Sequence, residues 1–413
     1  MARLEHVVVI HDSIEARGGA TGLARLSAIQ YRKLGLDVTY LTGAEDDSSL
    51  SQFGIETIGL GQSRVLEQSR LSALRSGLHN SEAAKLVSDW VSRNDTPSTA
   101  YHLHNWAHIL SPSIFGALRP VAARTVVSCH DFFNACPNGG LLHYPSGTPC
   151  ELKPMSGACW ISQCDRRSSL HKYWRMARHL NLNRVADFRT SDMTFVCLHD
   201  GMKSVMQDAG FNPPHLTSIA NPATAYLDIP VEAAENRTFL FIGRLSREKG
   251  ADIVAEAAME AGVPLTMIGE GPLGSELAER FPAITFAGFC SREQIGEHVR
   301  TARALVVPGR WREPYGLVVA EAALSGLPVL ISRPSTLAAK VEELQIGAVF
   351  DPHLKSGLAQ RLQVWAGDDE TVRRMSRNAA PRANQICTSP EGWAEQFIEL
   401  MEAKLQTSVT DPE

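Results

Sequence analysis

Short apolar runs alternate with longer amphipathic stretches along most of the chain. His6–Ile10, Val38–Leu41, Ala100–Leu103, Thr125–Ser128, Met193–Leu198 and Thr217–Ile219 are such runs in the first half. Their length and near-continuous hydrophobicity predict strands of a parallel sheet, buried on both faces. Leu23–Leu34, closed by Gly35, and Asp200–Asp208, closed near Gly210, carry apolar residues at helical spacing. The pattern restarts at Thr238–Ile242 and continues through Leu265–Ile268, Ile284–Phe286, Ala304–Val307 and Val329–Ile331, with a helix over Asp252–Ala261. Strand and helix alternating in this way predict an α/β chain. Asn221–Glu235 holds Pro222 and Pro230 and has no period, so it reads as a connection between two domains. The expected layout is a first domain over 1–222, a second over 236–388 and a last helix over 389–406. That helix opens at Ser389-Pro-Glu-Gly-Trp393 and has Phe397, Leu400 and Met401 on its apolar side.

Length and charge narrow the picture further. A chain of 413 residues can bury two full cores. Its net charge of −5 argues against nucleic acid as the main partner. No apolar run approaches bilayer-crossing length, and Arg3, Glu5 and His6 do not suit a signal peptide. An intracellular, cytoplasmic protein is expected, and its eight cysteines are then reduced or metal-bound rather than paired.

The densest chemistry lies between Pro308 and Ser332. Ala304–Val307 leads into Pro308 and Gly309. Pro314 suits a first helical position, Leu317, Val318, Ala320 and Leu324 form an apolar face, Gly326 closes the helix, and Pro328 precedes the next strand. Glu313 and Glu321 bracket this segment. Helical throughout, it would separate them by roughly 12 Å and keep them within about 80° of one face. Between them the N–H groups of Gly316 and Leu317 suit a phosphate. Carboxylate, amides, carboxylate is the layout that a nucleoside diphosphate sugar asks for; two solvated glutamates on an amphipathic helix is the plainer alternative. Upstream, Gly243-Arg-Leu-Ser-Arg-Glu-Lys-Gly250 is a tight loop after a strand. It throws Arg244 and Lys249 over the sheet edge, where two cations suit a leaving diphosphate.

Glu313-Pro-Tyr-Gly-Leu-Val-Val-Ala-Glu321-Ala resembles the signature of family-four retaining glycosyltransferases, the glycosyl transferases group 1. The resemblance runs over nearly the whole chain and is most specific in its C-terminal half. It implies the GT-B fold: α/β, with two doubly wound Rossmann-like domains facing a cleft, and the last helix crossing back to the first domain. It assigns Glu313 to the donor sugar, Glu321 to the ribose, and Arg244 and Lys249 to the diphosphate, with the amides of Gly316 and Leu317 between. The glycine-rich loop after the first strand faces the donor diphosphate in that family, and Gly18 and Gly19 are the matching positions. His130 matches a histidine placed against the donor sugar. The strand-end turn at Phe289 and Cys290 falls where the family receives the base, through main-chain atoms.

Three features stay open in the sequence. His104 and His108, four apart, have metal-ligand spacing on a helix, but lining a cleft or capping a helix explains them better. An insertion over 130–190 carries Cys136, Cys150, Cys159 and Cys164. Four thiolates can staple such a Gly- and Pro-rich loop with structural zinc, although no C-x-x-C half-site is present; reduced structural cysteines are the alternative. Residues 166–189 hold seven Lys and Arg against Asp187 alone, with Tyr173, Trp174, Met176, Leu180 and Leu182 interleaved. Such a stretch suits an anionic membrane surface, hence a peripheral place at the inner membrane face, or a phosphate-bearing acceptor; a solvated helix face is the plain reading.

The function expected is transfer of a sugar from a nucleoside diphosphate sugar to a hydroxyl of a saccharide or lipid-linked acceptor, in surface polysaccharide or glycoconjugate synthesis. No D-x-D occurs, so no metal is expected on the diphosphate and no cofactor is required for catalysis. No second-face nucleophile stands out, which favours attack from the leaving-group side with retention. A nucleotide-sugar epimerase or hydrolase on the same fold is the alternative. A non-catalytic docking module built around the cysteine loop is the reading from another class.

Overall fold

The computed structural model describes residues 3–15, 19–65, 67–354 and 356–410. It divides into two compact units, one made of Met1–Gly139, Leu152–Ala220 and Pro390–Glu413, the other of Gly140–Glu151 and Asn221–Ser389. In chain order the strands before residue 220 are β1 (His6–His11), β2 (Asp37–Thr42), β3 (Glu56–Gly59), β4 (Thr99–Leu103), β5 (Thr125–Ser128), β6 (Leu142–His143), β7 (Thr148–Pro149), β8 (Thr194–Cys197) and β9 (Leu216–Ser218). Those after it are β10 (Thr238–Ile242), β11 (Leu265–Ile268), β12 (Thr285–Gly288), β13 (Ala302–Val307), β14 (Val329–Ser332) and β15 (Gly347–Phe350).

Among the described residues the first unit has a seven-stranded sheet in the order β3-β2-β1-β4-β5-β8-β9. Its pairings are all parallel. Val7, Val8, Val9 and Ile10 of β1 are fully buried, as a central strand covered on both faces requires. The helix Gly19–Lys33 begins four residues before the expected Leu23, because Thr21, Ala24, Ala28 and Tyr31 continue one buried face. The helix Pro390–Thr410 belongs to this unit and brings Trp393, Phe397 and Met401 into its core, each 1% exposed. Each such side chain contributes about 1.5–3 kcal/mol through burial.

The second unit repeats the pattern: β12-β11-β10-β13-β14-β15, again parallel. In both sheets the strand order reverses beside the first strand, between β1 and β4 and between β10 and β13. Ligands of doubly wound sheets bind at such switch points, beyond the C-terminal strand ends. Each unit is therefore Rossmann-like.

Two boundaries differ from the sequence reading. The segment 223–235, expected as a bare connection, packs into the second unit. Val231, Ala233 and Ala234 are buried, Ala223 N–H donates to Thr388 O at 3.0 Å, and Val231 N–H to Ser325 O at 2.9 Å. The β6–β7 hairpin, expected inside the first domain, counts with the second unit. A Cβ on its Gly147 would stand 3.4 Å from Arg310 Cδ.

Candidate active site

The loop after β10 is shaped by backbone contact. Gly243 N–H donates to Ile268 O at 2.9 Å and Leu245 N–H to Glu270 O at 3.0 Å. A Cβ on Gly269 would meet Gly243 O at 2.1 Å, and one on Gly271 would meet Leu245 O at 2.4 Å. Any other residue at these two positions would push the strand-end loops apart. Gly250 takes a left-handed conformation (φ 72°) against Pro308 O and opens the helix Ala251–Ala261. The loop is thus pinned at both ends. Arg244 is exposed; its carbonyl accepts from Ser246 N–H at 2.8 Å, and among the described residues its guanidinium has no hydrogen bond or ion pair. Lys249 is half-buried, pairs with Glu313 and lies 5.4 Å from the Trp311 ring centre.

The Glu313 segment departs from the expected helix. The helix starts at Leu317, not Pro314, after Gly316 in a left-handed conformation (φ 86°). Tertiary bonds hold the preceding residues off the helical path. Thr336 Oγ1 donates to Glu313 O at 2.8 Å, and the buried Tyr315 hydroxyl bonds to Asn221 O at 3.2 Å and to Ile386 O. Glu313 and Glu321 are therefore not two turns of one rod, and the 12 Å estimate does not apply. The free amides remain: among the described residues the N–H groups of Gly316 and Leu317 find no acceptor. They open an eight-residue helix, Leu317–Leu324, whose dipole adds positive character there.

Glu321 is held by two groups that the sequence does not reveal. Tyr226 hydroxyl donates to its Oε2 at 2.6 Å, and Arg292 Nη1 to its Oε1 at 2.8 Å. Burial, then the Glu321 charge, raises the Tyr226 phenol far above its ordinary range, so it stays a donor. Arg292 also donates to Ala225 O at 3.0 Å and stacks over Tyr226, its guanidinium carbon 4.8 Å from the ring centre. A carboxylate offers about four acceptor directions, so two remain for a diol. These residues lie 95 and 29 positions from Glu321, where no local pattern could signal them. Phe289 is 81% exposed; it follows Gly288, whose carbonyl accepts from Gly269 N–H at 2.7 Å. Cys290 is half-buried, its Sγ 3.7 Å from Ala287 O.

In the first unit, Gly18 lies outside the described residues, and Gly19 is the exposed first residue of its helix. The ends of β1, β4 and β5 gather imidazoles. His104 Nδ1 lies 2.8 Å from His130 Nε2, and Ser27 Oγ 3.0 Å from His104 Nε2. His102 bonds Tyr31 and Ser128, each at 2.8 Å, and its ring lies 3.9 Å from that of His104. Burial, with a contribution from His11, pulls His130 down to about 3; burial also keeps His102 and His104 well below their usual range. All three are neutral at pH 7. Asp131 is raised, chiefly by burial. Asp12, unremarked in the sequence, accepts the amides of His108, Ile109 and Leu110 at 2.7, 2.7 and 2.8 Å and so fixes the loop after β4. That loop is not helical, and His104 is buried while His108 is exposed, so the two do not share a helix face.

The cysteine loop does not gather a ligand set. Among the described residues no three of His, Cys, Asp and Glu come together as a metal site. An ammonium stands beside the sulfur instead: buried Lys172 donates to Cys159 O at 2.6 Å, to Ser162 O at 2.7 Å and to Cys164 Sγ at 3.2 Å. Asn138 adds a bond to Cys164 Sγ at 3.4 Å and lies 3.3 Å from Cys136 Sγ. Cys150 sits beyond β7, in the other unit.

Comparison with known proteins agrees with this geometry. Residues 226–382 match the family model described as glycosyl transferases group 1. The chain is similar to D-rhamnosyltransferase WbpZ of Pseudomonas aeruginosa, 28% identical over 288 residues that cover 68% of this chain and 74% of that protein. It is similar to glycogen synthase of Mycobacterium tuberculosis, 29% identical over 275 residues, 62% of this chain and 64% of that protein. Among solved structures, sucrose-phosphate synthase from Thermosynechococcus elongatus superposes with TM-score 0.71 at 18% identity, covering 98% of this chain and 100% of that one. Anabaena HepE in complex with UDP superposes with TM-score 0.65 at 17% identity, covering 97% and 100%; these two show the fold. The pinned cationic loop, the two helix amides without an acceptor among the described residues and the two held carboxylates all lie within the segment, residues 226–382, that matches glycosyl transferases group 1.

Proposed function

We propose that the protein transfers a sugar from a nucleoside diphosphate sugar to a hydroxyl of a saccharide or lipid-linked acceptor, with retention and without a metal on the diphosphate. The observation that carries this is Arg244: an exposed guanidinium without a partner among the described residues, on a loop held by glycine contacts. Arg244, Lys249 and the amides of Gly316 and Leu317 would receive the diphosphate and the charge that grows as its bond to the sugar breaks. Glu313 positions sugar hydroxyls, Lys249 being its present partner. Glu321 receives the ribose diol with its two remaining acceptor directions, and main-chain atoms at Phe289 and Cys290 meet the base. His130 is assigned to the sugar. Attack comes from the leaving-group face, and the departing phosphate takes the acceptor's proton. Complexes of HepE with UDP and UDP-glucose make uridine nucleotides the first donors to try.

The helix Ser169–Ala186 supports an acceptor at a lipid surface. It turns Lys172 and Arg178 inward and leaves Leu170, Tyr173 and Leu180 79%, 45% and 51% exposed. The exposed cations of 166–189, Arg166, Arg167, Arg184 and Arg189, suit anionic headgroups. Among the described residues no helix is long and apolar enough to cross a membrane.

A thermal-shift screen of nucleotide sugars, with and without chelator, tests the donor. One donor should raise Tm, by about 2.7 kcal/mol of stabilisation at a hundred times its Kd, equally in chelator. Silence across UDP, GDP and ADP sugars would remove the reading. Incubation without acceptor separates it from epimerase chemistry, where the donor alone would be interconverted.

A further inference from the structure

The ends of β4 and β5 carry a chain of buried polar groups of which sugar transfer uses only the last. Ser27 is fully buried, and its hydroxyl donates to Ala24 O at 2.8 Å, the usual back-bond of a helical serine. The same oxygen lies 3.0 Å from His104 Nε2, and His104 Nδ1 lies 2.8 Å from His130 Nε2. The two rings are within 10° of parallel with centres 5.0 Å apart. A nitrogen–nitrogen contact of 2.8 Å is too short for rings lying face over face, so they meet edge to edge through one shared hydrogen. Among the described residues His130 Nδ1 is buried and has no partner.

The hydrogens can be counted along this chain. A hydroxyl has one. Were it directed at His104, Ser27 Oγ and Ala24 O would face each other across 2.8 Å with lone pairs alone. The hydrogen therefore lies toward Ala24, Ser27 accepts, and His104 carries its proton on Nε2. A neutral imidazole has one N–H, so His104 Nδ1 is an acceptor and His130 must donate to it from Nε2. His130 Nδ1 is left as a lone pair. Burial that keeps both rings neutral agrees with this count.

We propose that Ser27 and His104 are positioning residues that set the tautomer of His130, so that its Nδ1 accepts a hydrogen bond from a hydroxyl of the substrate. Naming a hydroxyl rests on the sugar-transfer reading; the tautomer does not. The imidazole then serves as a neutral acceptor rather than as a cation beside phosphate, and it rejects any ligand that offers only an acceptor there. A buried acceptor left unfilled is costly, so a hydroxyl is bound selectively.

Long-range proton–nitrogen correlation on the full chain, labelled in its histidine rings and held at pH 7.5, reads the tautomers directly; a His130→Gln spectrum assigns the signal. The expected result in the unaltered protein is protonated Nε2 and bare Nδ1 on His130. In Ser27→Ala both His104 and His130 should spread over two tautomers, and kcat/KM should fall about tenfold, as loss of a supporting bond does elsewhere. A proton on His130 Nδ1, a doubly protonated ring at pH 7.5, or unchanged tautomers in Ser27→Ala would overturn the proposal. The measurement on the unaltered chain needs no variant to fold. If His130 shows the expected tautomer but no nucleotide sugar binds, the transfer reading falls and the tautomer assignment stands.

Discussion

The two units reach their chemistry by opposite routes from the same sheet order. At the switch point of the second, the groups are formal charges: Arg244, Lys249 and Glu313 on loops set by glycines that allow main chains to touch, and Glu321 on the helix Leu317–Leu324. At the switch point of the first, they are uncharged imidazoles sunk in the core and joined ring to ring. Fixed charges suit a charged diphosphate; a neutral chain suits hydroxyls, whose recognition needs direction more than field. The lesson is that a repeated topology supplies the location, while burial decides which chemistry can stand there.

The largest expected effect separates the units by acid. His102, His104 and His130 have folded values below that of the unfolded chain. The unfolded state therefore binds protons first as pH falls, and stability present above about pH 6.5 is lost below it. Each contributes about 1.4 kcal/mol per pH unit in that window. Hydrogen exchange followed by peptide mass should show β4 and β5 losing protection between pH 6.5 and 5 while β10 and β13 keep theirs. Equal loss in both units would erase the contrast.

A second test works on the charged side. Arg244→Ala and Lys249→Ala should each lower kcat about 10²-fold, the usual cost of removing one transition-state donor. Glu313→Gln should lower turnover at least tenfold, with circular dichroism unchanged. Near-normal initial rates in all three would refute these roles.

Smaller effects sharpen the contrast where the sequence was silent. Lys172→Met leaves the carbonyls of Cys159 and Ser162 without their donor, so unfolding in urea should show a loss of about 1–3 kcal/mol. Chelator should leave the midpoint where it was; a chelator-induced drop would favour structural zinc over reduced cysteines. Tyr226→Phe removes one of two bonds holding Glu321, worth about 1 kcal/mol, so donor KM should rise about fivefold with kcat nearly unchanged.

Strands, helices and the two-part layout were legible because each depends on neighbours in sequence. A buried parallel strand must be apolar throughout, and a loop that touches backbone must have glycine. The pattern Glu313 to Glu321 was legible as well, but not its shape. Pro314 favours a helix start, yet Tyr315 and Thr336 bond the segment elsewhere and Gly316 restarts the chain.

What the sequence determined by itself is the alternation of β and α, the glycines at 243, 250, 269 and 271, and the charges beside them. These follow from local sterics and from apolar residues seeking burial, which spacing alone records. Only the tertiary structure decided that Tyr226 and Arg292 hold Glu321, that Lys172 stands beside Cys164 where the sequence left zinc and reduced cysteines both open, and that Ser27, His104 and His130 form one line. Each joins residues far apart in the chain. Their energy comes from desolvated polar groups finding partners, and that choice exists only once the core has closed.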